Sequence, residues 1–377
     1  MQTKNKQTDR QLARAKRRRK RRVRRIAWRI SLSVLTLVAL VLVGLLSAGY
    51  AAFKGPSRSV GDLLTVTMLE TSALKFVPRI YYSQDEVDAI VDRNSLTAAD
   101  SETDTSLIVI QKPTPTPDPQ AVQAVAAEDA QAIEPEATPT PDNLLLAEDG
   151  IEFYDVTGGT YKGFMMVVQD PSRVSVGVCR DRFNGERGKQ LKDIAARYDA
   201  VAAINGGGFE DAGGVGNGGT PIGLVVSEGQ LKHKGDPGKY NITVGFNQDN
   251  IMIIGKKMSV EEAKEKGMRD AITFGPALIV NGEPANVSGL SSGLNPRTAI
   301  GQRSDGAVLM LVIDGRQASS LGATYADLIS IMLDFGAVNA VNMDGGSSSL
   351  LYYKGVYVNK GVVLTGSRNI PTAFIVR

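Results

Sequence analysis

The sequence predicts an α+β protein: a mixed β-sheet domain with a few packed helices, preceded by one transmembrane helix. Three observations predict it. After residue 144, strand-like runs outnumber helical ones. Most of those runs follow one another with no helix between them, which argues against a doubly wound parallel sheet. Near the amino terminus, one uncharged apolar stretch is long enough to cross a bilayer.

Residues 1–29 hold 14 Lys or Arg against a single acid, Asp9, a net +13 in a chain whose whole charge is +3. The remainder is therefore acidic, near −10. Ile30 to Phe53 carries no charge and is mostly Leu, Val, Ala and Ser. As a helix it would reach roughly 36 Å at ~1.5 Å per residue, against a hydrocarbon layer of ~30 Å. Residues 1–29 are thus expected as a basic cytoplasmic tail, with Arg17 to Arg22 against anionic head groups, and residues 30–53 as the anchor. A cleaved signal peptide is the competing account, since small residues at Ser47, Gly49, Ala51 and Ala52 would suit a cleavage site. The apolar run exceeds the ~7–15 residues of a signal-peptide core, which favours an uncleaved anchor.

Residues 54–94 form a membrane-proximal segment with one short amphipathic pattern, DEVDAIVD. Residues 95–142 lose periodicity. PTPTPDP and EPEATPTPD flank an Ala-, Gln- and Glu-rich stretch, and repeated Pro keeps backbone extended and removes donors. This is a disordered Pro/Ala/Glu-rich spacer in expectation. Residues 144–377 are long enough for one substantial core.

Within that domain FMMVVQD, VSVGVC, PIGLVVSEG, NITVGFNQ, NIMIIG, AITFGPALIVNG, AVLMLVIDG, SLLYYKGVYV and TAFIVR read as strands. Helices are expected over Gly188 to Tyr198 and Thr324 to Phe335, with a shorter one at Val260 to Lys266. Thr324 suits a helix start and Gly336 a stop.

The residue inventory limits the chemistry. One cysteine, Cys179, excludes an internal disulfide, and VSVGVCR places it on a buried strand. One histidine, His233, disfavours Cys/His zinc sites and a histidine-dependent triad. Carboxylates, Arg, Asn, Ser, Tyr and backbone amides must do any chemistry. Asp211, Asn217, Asp314 and Asp344 offer oxygen ligands for Ca²⁺ or Mg²⁺ but form no diagnostic loop, and no cofactor is expected to be required. Nucleic acid is not expected as a partner, because the basic cluster adjoins the anchor.

Two segments stand out. In Ala337 to Tyr353, AVNAVNMDGGSSSLLYY, an apparent buried strand ends at Asp344 and passes into Gly345, Gly346 and Ser347 to Ser349. In Ala200 to Phe209, AVAAINGGGF, Asn205 takes the polar place before Gly206 and Gly207. Each follows a helical pattern. Glycines there let the chain turn sharply or let a ligand approach the backbone, and successive N–H groups can form an anion nest. Ordinary tight turns would look the same in sequence. The glycine-rich stretch Phe209 to Thr220 reads as a rim or a long hairpin connection.

Taken in order, Asn205-Gly206-Gly207, Gly275 to Gly282 (GPALIVNG), Asn295 to Gly301 (NPRTAIG), Asp314-Gly315-Arg316, Asp344 to Ser348 (DGGSS) and Arg368 resemble the phosphodiester glycosidase family. The resemblance covers roughly Tyr161 to Arg377. It implies hydrolysis of the sugar–phosphate glycosidic bond of a glycosyl phosphodiester, in a cell-wall or extracellular glycopolymer. It also implies Asp344, Asp314 and Asn205 as catalytic candidates. Arg297, Arg368, Gly345, Gly346, Ser347, Ser348, Gly206 and Gly207 are the expected substrate and phosphate contacts. Arg316 sits less securely in that set, since an arginine after a DG turn can simply face solvent. Asn295 stands where many relatives have His, which weakens any mechanism that needs imidazole. The chemistry is coherent, because positive character developing on the sugar calls for a carboxylate, and a departing phosphate calls for arginine forks and amide donors. A non-enzymatic receptor or assembly component for anionic surface polysaccharide would use the same arginines and turns.

The resulting topology is testable. The amino terminus is expected in the cytoplasm and the carboxyl-terminal domain outside. External protease on wall-stripped cells should digest the domain or spacer and spare the basic terminus, and the reverse protection pattern would overturn this orientation.

Overall fold

The computed structural model describes residues 2–71, 74–97, 102–110, 143–211, 216–236, 242–361 and 368–377. These form two compact units, Met1–Asp62 and Leu63–Arg377. In the first, one continuous helix runs over Gln2–Lys54. Its part from Arg19 to Lys54 is the one described helix long and apolar enough to cross a membrane, by length and composition. Its apolar side chains, Trp28, Leu35, Leu40 and Leu45 among them, are exposed.

The second unit is α+β, and every strand pair among the described residues is antiparallel, a narrower arrangement than the mixed sheet expected. An eight-stranded sheet runs in the order 283–284, 277–280, 337–343, 297–303, 308–313, 162–168, 151–157 and 144–148. A five-stranded sheet orders strands 356–357, 351–353, 202–205, 372–376 and 174–178. A second five-stranded sheet orders 252–256, 242–247, 268–274, 225–227 and 230–233.

Alternation along each strand decides which core it serves. On Val308–Ile313, Val308, Met310 and Val312 enter a central core shared by all three sheets. Leu309, Leu311 and Ile313 enter a second core under the helix Tyr325–Asp334. A strand buried on both faces reads as unbroken apolar sequence, which is why AVLMLVI does not alternate. Similarly, Phe374 and Val376 face the central core, while Ala373 and Ile375 face the helix Leu191–Arg197. Cys179 is buried beside that last group, and burial raises its thiol pKa. His233 packs edge-on to Phe183 and, desolvated by burial, has its pKa lowered. Neither is placed for nucleophilic work.

The expected helices form, as Leu191–Arg197, Tyr325–Asp334 and Val260–Glu265. Thr324 caps its helix by a reciprocal box with Asp327, and Ser259 does the same with Glu262. Some strands lie outside the expected runs, Arg297–Arg303 in the middle of the eight-stranded sheet and Gln230–His233 among them, and so does one hairpin. Leu144–Glu148 and Ile151–Thr157 pair across Asp149-Gly150, whose φ values of 51° and 68° are those of a tight primed turn.

The upstream segment also belongs to this unit. The helix Gln84–Arg93 is boxed by Ser83 and Glu86 and buries Val87 and Ile90. Leu96–Thr97 pairs with Asn286–Val287. Of the spacer expected at 95–142, residues 98–101 and 111–142 lie outside the described residues, but 102–110 does not behave as spacer. Asn281 Nδ2 donates to the Glu102 carbonyl at 2.8 Å, the Asp104 N–H donates to Asn281 Oδ1 at 2.8 Å, and the Val109 N–H donates to the Ser304 carbonyl at 2.7 Å. Backbone donors and acceptors exposed by the hairpin ends are satisfied this way.

Polar staples join the sheets. Gln302 Oε1 on one sheet accepts from the Met252 N–H on another at 2.6 Å. Asp270, fully buried, accepts at Oδ1 from the N–H of Val176 at 2.9 Å and of Glu228 at 3.1 Å, and Arg269 lies 3.0 Å from Oδ2. Gly245 faces the Asp270 carbonyl so closely that a Cβ there would lie 1.8 Å from it. Asp270→Ala would take the partner from the buried Val176 N–H, the part-buried Glu228 N–H and the Arg269 guanidinium, and should cost about 3 kcal/mol in urea unfolding. Asp270→Asn, which keeps the Oδ1 acceptor, should cost distinctly less; equal losses would show that the acceptor is not what matters.

Candidate active site

The two segments singled out in the sequence end at one place. Ala202–Asn205 and Ala337–Met343 belong to different sheets, and their following turns are laced together. Asn205 Nδ2 donates to the Asp344 carbonyl at 2.6 Å, and the Asp344 N–H donates to the Gly206 carbonyl at 3.2 Å. Asn205 Oδ1 accepts from Thr298 Oγ1 at 2.7 Å and from the Leu350 N–H at 3.1 Å. Asn205 is fully buried with both ends of its amide engaged. It therefore positions Asp344 rather than facing a ligand.

Beyond it opens a cleft of about 260 Å³ lined by Asp344, Gly345, Gly346, Ser347, Arg368, Asp211, Arg297, Arg316, Tyr325, Asn295, Asn342, Phe274 and Glu70. Asp344 sits at its floor. The residue as a whole is partly exposed, yet Oδ2 is buried and accepts no hydrogen bond. Loss of water raises its pKa to about 6, against the lowering effects of Ser348, Arg368 and the Gly345 amide. The Ser348 hydroxyl nonetheless has no aligned partner, so desolvation is the influence that decides. A carboxyl near 6 exchanges its proton readily around neutrality, as general acid–base work requires.

Arg368 closes one side. Its Nη2 approaches Asp211 Oδ2 to 2.6 Å as an ion pair without hydrogen-bond alignment, its Nη1 lies 3.5 Å from Ser347 Oγ, and its guanidinium covers the Phe209 ring at 4.6 Å. On the other side Arg297 is 5 % exposed. Its Nη2 donates to Glu70 Oε2 at 2.7 Å, Ser292 Oγ at 3.0 Å and the Gly293 carbonyl at 2.8 Å, and its Nε donates to the Ala323 carbonyl at 3.1 Å. The plane stacks on Tyr325 at 4.4 Å. Arg316, which the sequence left open between a phosphate contact and a solvent-facing residue, stands at the rim with Nη2 donating to Asn295 Oδ1 at 3.0 Å. Asn295 in turn donates to Glu70 Oε2 at 2.7 Å.

The structure thus gathers Asp344, Arg297, Arg368, Gly345, Gly346 and Ser347 into one cleft. It sets the other expected site residues apart. Asp314 accepts from Asn359 Nδ2 at 2.9 Å and does not line the cleft. Gly206 and Gly207 spend their N–H groups on the Thr372 carbonyl and Oγ1, both at 3.1 Å, so no anion nest forms there. A Cβ on Gly207 would lie 2.8 Å from the Thr273 carbonyl, and that close approach is why glycine is needed. Ser348 is buried behind the turn. Gly346, at φ +63°, donates to the Pro296 carbonyl at 2.9 Å and so draws NPRT beneath DGGSS.

Glu70 and Tyr325 were not found from sequence, and Asp211 was weighed there only as a cation ligand, not as the partner of Arg368. No motif surrounds them, and Glu70 lies in the membrane-proximal segment. Among the described residues no group of three or more His, Cys, Asp or Glu is arranged to hold a metal ion. Asn217 is occupied by the Gly185 carbonyl and the Gly219 N–H, and Asp314 by Asn359.

Residues 198–377 match the model of the phosphodiester glycosidase family, and the chain is distantly homologous to it. An uncharacterised SPβ prophage-derived protein of Bacillus subtilis, YomE, is 30 % identical over 224 residues, 56 % of this chain. The match spans about a third of that relative's length, 34 %. Among solved structures, the zebrafish N-acetylglucosamine-1-phosphodiester α-N-acetylglucosaminidase catalytic domain, auto-inhibited by its pro-peptide, is similar with a TM-score of 0.49 at 21 % identity, over 60 % of this chain and 82 % of that one. An exported protein of Burkholderia pseudomallei gives a TM-score of 0.44 at 16 % identity, over 57 % and 74 % of the two chains.

The raised pKa of Asp344 has a sign that can be checked. The folded carboxyl binds its proton more tightly than the unfolded one, so its ionisation removes stability as pH rises from about 4 to about 6, and the loss is complete above that. Asp344→Asn should therefore stabilise the protein at pH 7.5, by on the order of 2–3 kcal/mol, and lose that advantage below pH 4. A lower melting temperature for the variant at pH 7.5 would mean that the carboxylate is held by favourable contacts instead.

Proposed function

We propose that the protein is a membrane-anchored hydrolase that cleaves the sugar–phosphate glycosidic bond of a glycosyl phosphodiester in a cell-wall or extracellular glycopolymer. The distant homology is to enzymes of that reaction type, at the level of the superfamily. The observation that carries the reading to this chain is the placement of one desolvated carboxyl, Asp344, in the same cleft as Arg316 and Arg368.

In this reading the phosphate lies against Arg368, Arg316 and the Gly345 to Ser347 turn, and the anomeric carbon lies near Asp344. Water attacks that carbon, its proton passes to the Asp344 carboxylate, and the carbon–oxygen bond breaks with its electrons going to the phosphate oxygen. The products are a free sugar end and a phosphomonoester. The leaving group needs charge stabilisation more than protonation, which the arginines supply. The helix ending at Lys54 serves as the anchor, with the basic terminus inside and the cleft outside.

Full-length protein should hydrolyse members of a panel of glycosyl 1-phosphate methyl diesters. In H₂¹⁸O the label should enter the sugar and not the phosphate, and kcat should rise with pH through about 6. Asp344→Asn should lower kcat by about 10²–10⁴-fold with the fold retained. Label in the phosphate would overturn the bond assignment. Stoichiometric binding with no product from any member would favour a receptor for anionic glycans.

A further inference from the structure

Glu70 reaches the cleft from far upstream of residues 198–377, the part that the family model matches. Its Oε2 accepts from Arg297 Nη2 and Asn295 Nδ2, both at 2.7 Å, and its Oε1 accepts from the Gly293 N–H at 3.3 Å. Neighbouring residues fix the segment, with Thr67 Oγ1 accepting from the Leu294 N–H at 3.0 Å and Thr71 Oγ1 lying 3.3 Å from Arg316 Nη2. The Glu70 side chain keeps 32 % of its exposure, so it faces the cleft and is not sealed behind Arg297. Its carboxylate sits against the most buried of the three arginines.

Charge counting gives this contact a consequence. The cleft holds Arg297, Arg316 and Arg368 against Glu70, Asp211 and Asp344. A phosphodiester carries one negative charge, whereas a phosphomonoester carries about two above pH 7. A fixed carboxylate repels the second species about twice as strongly as the first, since Coulomb energy scales with the product of charges. We propose that Glu70 is a specificity-determining residue: by cancelling Arg297 it makes the cleft hold singly charged phosphodiesters in preference to doubly charged phosphomonoesters. Resting on the reading above, it also hastens departure of the product, because hydrolysis turns the first kind of anion into the second.

The test uses dimethyl phosphate and methyl phosphate as probes of full-length protein in a phosphate-free detergent at pH 8 and low salt, titrated by ³¹P NMR. The wild type should bind methyl phosphate no more tightly than dimethyl phosphate. Glu70→Gln should tighten methyl phosphate by about tenfold and dimethyl phosphate by about threefold or less. Thr67→Ala removes a neighbouring tie without changing charge, and should leave the ratio of the two affinities where it was. Equal gains for both probes in Glu70→Gln, or no gain, would overturn the role of Glu70 while the phosphodiester reading stands. The same altered ratio in Thr67→Ala would assign the effect to docking of the segment and overturn it likewise. Failure of both probes to bind any of the proteins would overturn the phosphodiester reading and this proposal together.

Discussion

The cleft depends on one buried amide. Asn205 ends a strand of one sheet, and its side chain bonds the Asp344 carbonyl and Thr298, which follow and belong to strands of another, as well as the Leu350 N–H beside a strand of its own sheet. Two sheets that share an apolar core have freedom to slide, because apolar contact is non-directional. A fully satisfied amide between them removes that freedom. Its geometry fixes the register at which the two glycine-rich turns meet, and hence the height of Asp344 above the core. An apolar residue at 205 would leave the Leu350 N–H and the Asp344 carbonyl unpaired in a dry place.

Much of this was legible in the sequence, for reasons that are physical. A strand buried on both faces reads as a solid apolar run, and a strand end facing a cleft reads as an acid before glycines, so the Asp344 turn stood out. Most strands lining the central core were found on the same grounds, but Ile151–Thr157 and Arg297–Arg303 were not. The Asp149-Gly150 hairpin was missed although it carried a signal, in two turn residues between two strand-like runs. What sequence could not give is the direction of a side chain after a turn. Asp314 and Asp344 both precede glycine, yet one is spent on Asn359 and the other lines the cleft with its Oδ2 accepting no hydrogen bond. Asn205-Gly206-Gly207 and Asp344-Gly345-Gly346 look alike, but only the second opens onto the cleft. Glu70 is the extreme case, paired with Arg297 at a separation of 227 residues and marked by no local pattern.

Burial makes the ionised form of Asp344 costly to hold. A carboxyl this poorly solvated could be held ionised by direct arginine contact, and Arg368 is in the right cleft to do so. Instead Arg368 pairs with Asp211, Arg297 with Glu70, and Arg316 with Asn295. Each guanidinium is steadied by a group other than Asp344. That arrangement keeps the arginines in place without quenching the one carboxyl whose proton affinity lies near neutrality.

The same pairing redraws the boundary of the working unit. Arg297 buries its charge by leaning on Glu70, so a chain beginning at Leu144 would leave a guanidinium with one fewer anion and a strand edge at 286–287 without Leu96–Thr97. Burying an unpartnered charge is costly, and an uncovered strand edge invites pairing with other chains. The residues between Leu63 and Thr97 are therefore part of the cleft's own structure. They are also the covalent continuation of the apolar helix that ends at Lys54. A chain that must thread from that helix through Glu70 before building its sheets ties the completion of the arginine cluster to the amino-terminal segment, and the carboxyl-terminal motifs alone do not contain it.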